Sequence, residues 1–205
     1  QVSFEYEGNT SLIDSNKIIE MNYSLNPIVL LQKTRIIEGQ VVRKVKDLLV
    51  IDTSWIDNVD SFIPIRELDY SRSLFKVLGK ADRIPERNVG LETFWLKYKG
   101  PTLFLRVKDG ISLYLNKTEE CCSSYGVGYA LKAKEDIISY EYLAYVLLND
   151  STLRRYLDSS ADAAGRINTS DFLNHEIAIY PESSVQKQIV EESLMTERQS
   201  LKSQS

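Results

Sequence analysis

The residue types in this 205-residue chain that could build a nucleophile and its base are one histidine, His175, and one adjacent cysteine pair, Cys121 and Cys122. A thiolate next to an imidazole can attack a carbonyl, so a small Cys-dependent hydrolase is the enzymatic reading. Yet His175 follows Asn174 at a turn before an apolar strand pattern, and no local spacing aims it at either cysteine. Neighbouring cysteines rarely bridge, and two of them with one distant histidine do not complete a tetrahedral metal site. They fit a reducing, cytoplasmic setting better. The carboxylate pairs Glu119-Glu120 and Glu191-Glu192 read as solvated faces or helix-start charges. Gly126-Val127-Gly128 lacks the third glycine and the strand-then-helix context of a dinucleotide loop, and no P-loop lysine motif occurs. Catalysis, cofactor and metal therefore have little support.

Binding chemistry has more. Base edges in a DNA groove are read by Arg, Lys, Asn, Gln, Ser or Thr on loops that a rigid sheet holds at depth. Three segments have that content: residues 66–87 with Arg66, Arg72, Lys76, Lys80, Arg83 and Arg87; Ser123-Ser124-Tyr125-Gly126; and Arg166-Ile167-Asn168-Thr169. From Arg66 to Lys108 there are ten basic residues against five acidic ones, a local excess of five, although the whole chain carries −4. A smaller excess lies at Lys33, Arg35, Arg43, Lys44 and Lys46. The plainer alternative for each such residue is a solvated surface charge, and Asn168 or Thr169 can equally cap a following helix. The overall charge and a pI near 5.2 oppose a protein that holds DNA by charge alone.

The elements that must position these residues follow from periodicity. Residues 1–30 read as a lead-in or linker. Leu30 to Leu49 reads as a helix, or a helix and a strand, interrupted at Gly39, with Val42, Val45, Leu48 and Leu49 spaced to face a core. Phe62-Ile63-Pro64-Ile65 is strand-like, and Pro64 makes it an edge strand or a strand end. Residues 70–92 read as an exposed loop or insertion. Residues 94–108 read as a strand pair around Gly100-Pro101, with Leu96, Tyr98, Leu103, Leu105 and Val107 alternating; Asp109-Gly110 then turns into a strand from Ile111 to Leu115. Residues 121–132 are a small, polar stretch ending in a strand at Tyr129 to Leu131. A helix from Ser139 carries Leu143, Val146 and Leu147, breaks at Asn149-Asp150, and continues with Leu153, Tyr156 and Leu157. Tyr140, Tyr142 and Tyr145 fit a core and its edge better than a stacking platform. Gly165 suits a positive-φ turn. A strand over Ile177, Ala178 and Ile179 stops at Pro181, and Ser183-Ser184 opens a last helix. That helix has a ragged apolar stripe (Val185, Ile189, Val190, Leu194, Leu201), too little to bury much alone, so it is expected to fray or borrow a partner.

The order of elements from Tyr140 onward is more telling than any one residue. It resembles the closing half of a target recognition domain from the DNA specificity subunits of type I restriction-modification systems. The matching residues are Tyr142, Leu143 and Leu147 on the helix, Gly165 and Ile167 at the turn, Leu173, Ile177, Ile179 and Pro181 around the strand, and Gln188, Ile189, Val190 and Leu194 on the last helix. The phrase MNYSLNPIVLL at residues 21–31 is similar to one near the C-terminal end of many adenine-N6 DNA methyltransferase subunits, without its Arg-Tyr. The chain opens at Gln1 and closes inside a helical pattern, which reads as a fragment of a longer protein.

The resemblance implies an α/β (α+β) fold: a small, twisted, mostly antiparallel or mixed sheet with flanking helices, followed by the start of a long spacer helix. It divides the chain into a lead-in (1–30), a recognition domain (31–182) and the spacer start (183–205). It implies a non-catalytic, cytoplasmic bacterial or archaeal component that reads one half of a bipartite site on double-stranded DNA. Its partners would be an adenine-N6 methyltransferase subunit or domain, which would bind the S-adenosylmethionine, possible restriction or translocase subunits, and a second chain through the C-terminal helix. A protein-binding assembly module of the same fold, which does not read DNA, is the alternative.

Overall fold

A computed structural model of the chain describes residues 2–6, 9–13, 36–53, 61–65, 68–79, 88–89, 96–98, 100–117, 122–124 and 128–203. Two antiparallel pairs stand apart from the larger sheets. One is β1 (Val2–Tyr6) with β2 (Asn9–Ile13), inside the expected lead-in. The other is β3 (Val41–Lys44) with β12 (Glu176–Ile179), which joins segments more than 130 residues apart in sequence. The main sheet is fully antiparallel. Its order is β4 (Leu49–Ile51), β11 (Tyr129–Ala133), β8 (Thr102–Arg106), β9 (Ser112–Asn116). A second sheet runs β6 (Asn88–Val89), β5 (Ser61–Pro64), β10 (Cys122–Ser124), β7 (Leu96–Tyr98), with β5 and β10 parallel and the other neighbours antiparallel. The fold is thus mixed α/β, with flanking helices and a long C-terminal one.

Six helices complete the described residues: α1 (Val45–Leu48), α2 (Leu74–Leu78), α3 (Tyr140–Asn149), α4 (Ser151–Ser160), α5 (Thr169–Asn174) and α6 (Ser183–Lys202). The break between α3 and α4 comes from capping. Ser139 Oγ accepts from the Tyr142 N–H at 3.2 Å, and Asp150 Oδ1 accepts from the Leu153 N–H at 2.7 Å, so each helix has its own start. Tyr140 and Tyr142 are buried and Tyr145 is half-buried, stacked on Tyr142 at 5.8 Å, as expected of core and core-edge residues.

The hydrophobic core lies on both faces of the main sheet. Leu103, Leu105, Leu113 and Leu131 join α3 and α4 residues such as Leu143, Leu147, Leu153 and Tyr156 in one cluster. Phe104 and Ala130 belong to a second cluster with Ile65, Leu68 and Tyr98. Strand β8 is therefore buried on both sides, which a simple in-out alternation does not anticipate. β7 and β8, read as one strand pair, are in different sheets; the link is an edge-on contact of the Tyr98 and Phe104 rings at 5.7 Å.

Two other expectations change, for the 30–49 and 70–92 stretches, and two are narrowed to one of their alternatives, for Pro64 and the last helix. The 30–49 stretch is a turn at Gly39 (φ 84°), then β3, the four-residue α1 and β4 within its described part; Val45, Leu48 and Leu49 face the core, while Val42 is only half-buried. Pro64 ends β5, which has partners on both sides, so it marks a strand end. The 70–92 stretch contains α2, with Leu74 and Val77 buried at helical spacing behind the N-cap Ser73, together with β6. Helix α6 is not frayed in isolation: it continues for 20 residues and packs on α3 and α2. Among the described residues no helix is long and apolar enough to cross a membrane. Residues 21–31 and Cys121 lie outside the described residues.

Candidate nucleic-acid interface

Three segments distant in sequence meet at the β8–β9 turn. Asp109 and Gly110 take φ values of 58° and 98°, the left-handed pair that Asp-Gly accepts most readily. Ser71 pairs with Leu113 through two 2.9 Å backbone hydrogen bonds, which lay residues 71–73 beside β9. From there the Arg72 guanidinium donates to the Asp109 carbonyl. On the other flank sits the 162–166 turn. Gly165 has φ 80°, and a Cβ on it would lie 3.0 Å from the Lys108 backbone nitrogen, so only glycine permits this approach.

Asp162 holds that second turn together. Its Oδ1 accepts from the Ala164 and Arg166 N–H groups at 2.9 Å each, and its Oδ2 accepts from Arg166 Nε at 2.8 Å. The Arg166 backbone N–H, then its guanidinium, pull the Asp162 carboxyl below the usual carboxylate range. Beyond it, the Ile167 N–H donates to the Tyr129 hydroxyl at 2.8 Å, and the Tyr156 hydroxyl donates to the Asn168 carbonyl at 3.2 Å. The turn is thereby fastened to both β11 and α4. Between the segments lies a cleft of about 430 Å³ whose charged lining is Arg72, Arg154, Asp109, Asp158 and Asp162. Its carboxylates outnumber its guanidiniums, so the cleft itself is a poor phosphate seat. Basic side chains are exposed next to it: Lys108, against Gly165, and Arg166, on Asp162, while Arg155 is exposed farther along α4 in a neighbouring hollow with Arg154.

Four of the candidate contact residues have described side chains. Arg72 and Arg166 come to the same turn region. Lys76 is exposed on α2, against which α6 packs. Asn168 is the N-cap of α5: its Oδ1 accepts from Ser170 N at 3.0 Å and Asp171 N at 3.3 Å, so both lone pairs serve the helix. Ser123 and Ser124, expected on a loop, lie in β10 with ladder partners on both sides at Ser123; strand pairing fixes their backbone. Their side chains are outside the described set, as are Arg66, Lys80, Arg83, Arg87 and Tyr125. Arg154 and Arg155 were not among the candidates. Their signal was available, since Leu153, Tyr156 and Leu157 facing inward leave positions 154 and 155 outward on a helix. Gln186 and Glu197 were missed too.

His175 is fully buried at the end of α5, stacked on the Tyr156 ring at 5.2 Å. Burial lowers its pKa to about 4, so the ring is neutral at pH 7. Its carbonyl accepts from the Val45 N–H at 3.0 Å, tying α5 to α1. Cys122 lies in β10 of the second sheet, whereas the strand after His175 pairs with β3. An imidazole closed off from solvent in this way is placed for packing. Among the described residues no group of three or more His, Cys, Asp or Glu gathers to hold a metal.

No protein-family model and no curated protein matches the sequence. Solved structures do match in three dimensions. The HsdS subunit from Thermoanaerobacter tengcongensis superposes with a TM-score of 0.52 at 12% identity, over 90% of this chain and 44% of that one. A chain from a structure addressing complex assembly and conformational transition of the type I R-M system gives 0.52 at 11% identity, over 89% and 44%. This chain thus spans less than half the length of the structures it matches. At these identities the likeness is one of fold, and that fold is the one seen in HsdS specificity subunits of type I restriction-modification systems.

Proposed function

We propose that this chain is a target recognition domain that contacts one half of a bipartite site in double-stranded DNA and positions an adenine-N6 methyltransferase. The observation that carries the proposal is the fold likeness to HsdS subunits over 90% of this chain. The converging turns add physical support, because they bring Arg72, Lys108 and Arg166 to one end of a sheet held rigid on both faces. Backbone contacts from such residues set register, and a few polar side chains discriminate bases at about 1–3 kcal/mol each. On this reading residues 31–182 form the recognition domain and α6 begins a spacer helix. Methyl transfer and S-adenosylmethionine belong to the methyltransferase; a restriction or translocase subunit and a second chain paired along α6 are further partners, in a bacterial or archaeal cytoplasm.

The test is the salt dependence of duplex binding. Replacing Arg66, Arg72 and Arg83 together by Ala should weaken binding and lower the log–log salt slope by about 2–3, since each lost phosphate contact removes roughly 0.9. An unchanged slope in a folded variant removes this segment from the footprint. The charge of −4 and the carboxylate-rich cleft favour a second reading, an assembly module that binds protein alone. Capture of a subunit by a chain that never retains DNA would select it.

A further inference from the structure

Helix α6 is held by two polar side chains rather than by its apolar stripe alone. Gln186, almost fully buried, donates through Nε2 to the Ile137 carbonyl at 3.0 Å and the Tyr180 carbonyl at 2.9 Å, and its Oε1 accepts from the Ser139 N–H at 3.4 Å. Eleven residues later, Glu197 reaches the start of α2. Its Oε1 accepts from the Leu74 N–H at 3.0 Å, and its Oε2 accepts from the Phe75 N–H at 3.0 Å and from the Ser73 hydroxyl. The next residue, Arg198, lays its guanidinium 5.0 Å from the centre of the Phe75 ring. Eleven residues are three helical turns within about 20°, so the two anchors share one face about 16 Å apart. An apolar stripe tolerates rotation and sliding; directional hydrogen bonds at two points do not.

Helix α2 needs this help. Five residues are far below the length at which a helix stands alone in water. Ser73 Oγ accepts only the Lys76 N–H, at 3.3 Å, leaving the first two donors to Glu197, whose negative charge also suits the positive end of the helix. The segment so held carries Arg72 just before the cap and Lys76 within the helix. We propose that Glu197 is a positioning residue: acting through α2, it fixes the segment bearing Arg72 and Lys76 beside the β8–β9 turn and ties that position to the direction of α6. A change in the direction of α6 then acts on the recognition segment through this carboxylate. The consequence for DNA rests on the recognition reading; the mechanical link does not.

The experiment compares the full chain with Glu197→Ala, Glu197→Gln and the double variant Ser73→Asp with Glu197→Ala. Amide hydrogen exchange and duplex affinity are read together. Asp at position 73 caps α2 from within its own segment and keeps the net charge of the wild type, but makes no bond to α6. Glu197→Ala should speed exchange at Val77 and Leu78 about ten-fold, the effect of losing roughly one cap, and weaken duplex binding by a similar factor. Glu197→Gln, which retains an acceptor, should fall between. The double variant should restore exchange in α2 while affinity stays low and exchange over residues 193–203 of α6 stays fast. Restored affinity in the double variant overturns the proposal, because Glu197 would then be only a local cap. Unchanged exchange in Glu197→Ala overturns it also. If the wild-type chain retains no duplex, the recognition reading fails, and exchange in α2 and α6 alone decides whether they are linked.

Discussion

Gly165→Ala puts a number on the contact between the two turns that frame the candidate interface. The added Cβ would lie 3.0 Å from Lys108 N, 3.2 Å from its Cβ and 3.3 Å from its Cα, at φ 80°. Gly39 offers an internal control: its φ is 84°, but the nearest atom to a new Cβ is a Tyr180 ring carbon at 3.4 Å. Both substitutions force an L-residue into the left-handed region, costing about 1–2 kcal/mol. Both also recover about 0.4–1 kcal/mol by restricting the unfolded chain. The net for Gly39→Ala is therefore about 1 kcal/mol. Gly165→Ala adds a clash with backbone that cannot rotate away, about 1–3 kcal/mol by analogy with overpacking, for a total of about 2–4 kcal/mol. Followed by circular dichroism in urea with a slope of about 2 kcal/mol/M, the midpoint should fall by about 0.5 M for Gly39→Ala and about 1–2 M for Gly165→Ala. Equal midpoints would show that the 162–166 turn does not press on Lys108, and the converging interface would lose its frame.

The remaining expectations are each tied to one side chain. Because burial lowers His175 from 6.5 to about 4, the unfolded chain binds the proton first as pH falls. Its contribution is complete above pH 6.5 and is lost progressively down to about pH 4, amounting to about 3 kcal/mol. His175→Gln should flatten the urea stability profile over that window, and parallel profiles would contradict the buried neutral ring. Asn168→Ser, which can still cap α5, should melt within a degree or two of wild type, whereas Asn168→Ala should lose about 1 kcal/mol. If Asn168→Ser also keeps duplex affinity, residue 168 is a cap and not a base contact. Gln186→Leu strips the donor from two carbonyls and should cost about 2–4 kcal/mol, a fall of about 5–10 °C in Tm. A calorimetric shift below a degree would show that Gln186 does not anchor α6.

Capping and turn chemistry were the most legible features of the sequence. Ser139, the Asn149-Asp150 break, Asp109-Gly110, Gly165 and Asn168 all act through bonds within a few residues, so local composition reports them directly. The helix and strand from Tyr140 to Ile179 followed for the same reason. Sheet membership was not legible, because whether Leu96–Tyr98 pairs with Thr102–Arg106 depends on pairing with β10 and β11 that no local pattern encodes. Burial of β8 on both faces hid Phe104 from an alternation argument. Helix α2 was missed since it is only five residues long and, besides its local cap Ser73, takes the acceptor for its first two N–H groups from Glu197, more than 120 residues away in sequence. Glu197 itself looked like one more charge on a polar helix face. Of the candidate site, the cluster of basic residues announced Arg72 and Lys76, and Asp162 four residues before Arg166 was a local signal left unused, but nothing local told that Arg154 would share a cleft with Arg72.

The central claim is sequence-specific contact with duplex DNA, and selection from a randomised duplex pool tests it most directly. The full chain would be challenged at low and at physiological salt, with retained duplexes sequenced. The account predicts enrichment of a short motif of about three to five base pairs that contains an adenine, the span a few side chains can discriminate at base edges. No retention even at low salt would contradict it and leave the assembly-module reading in its place.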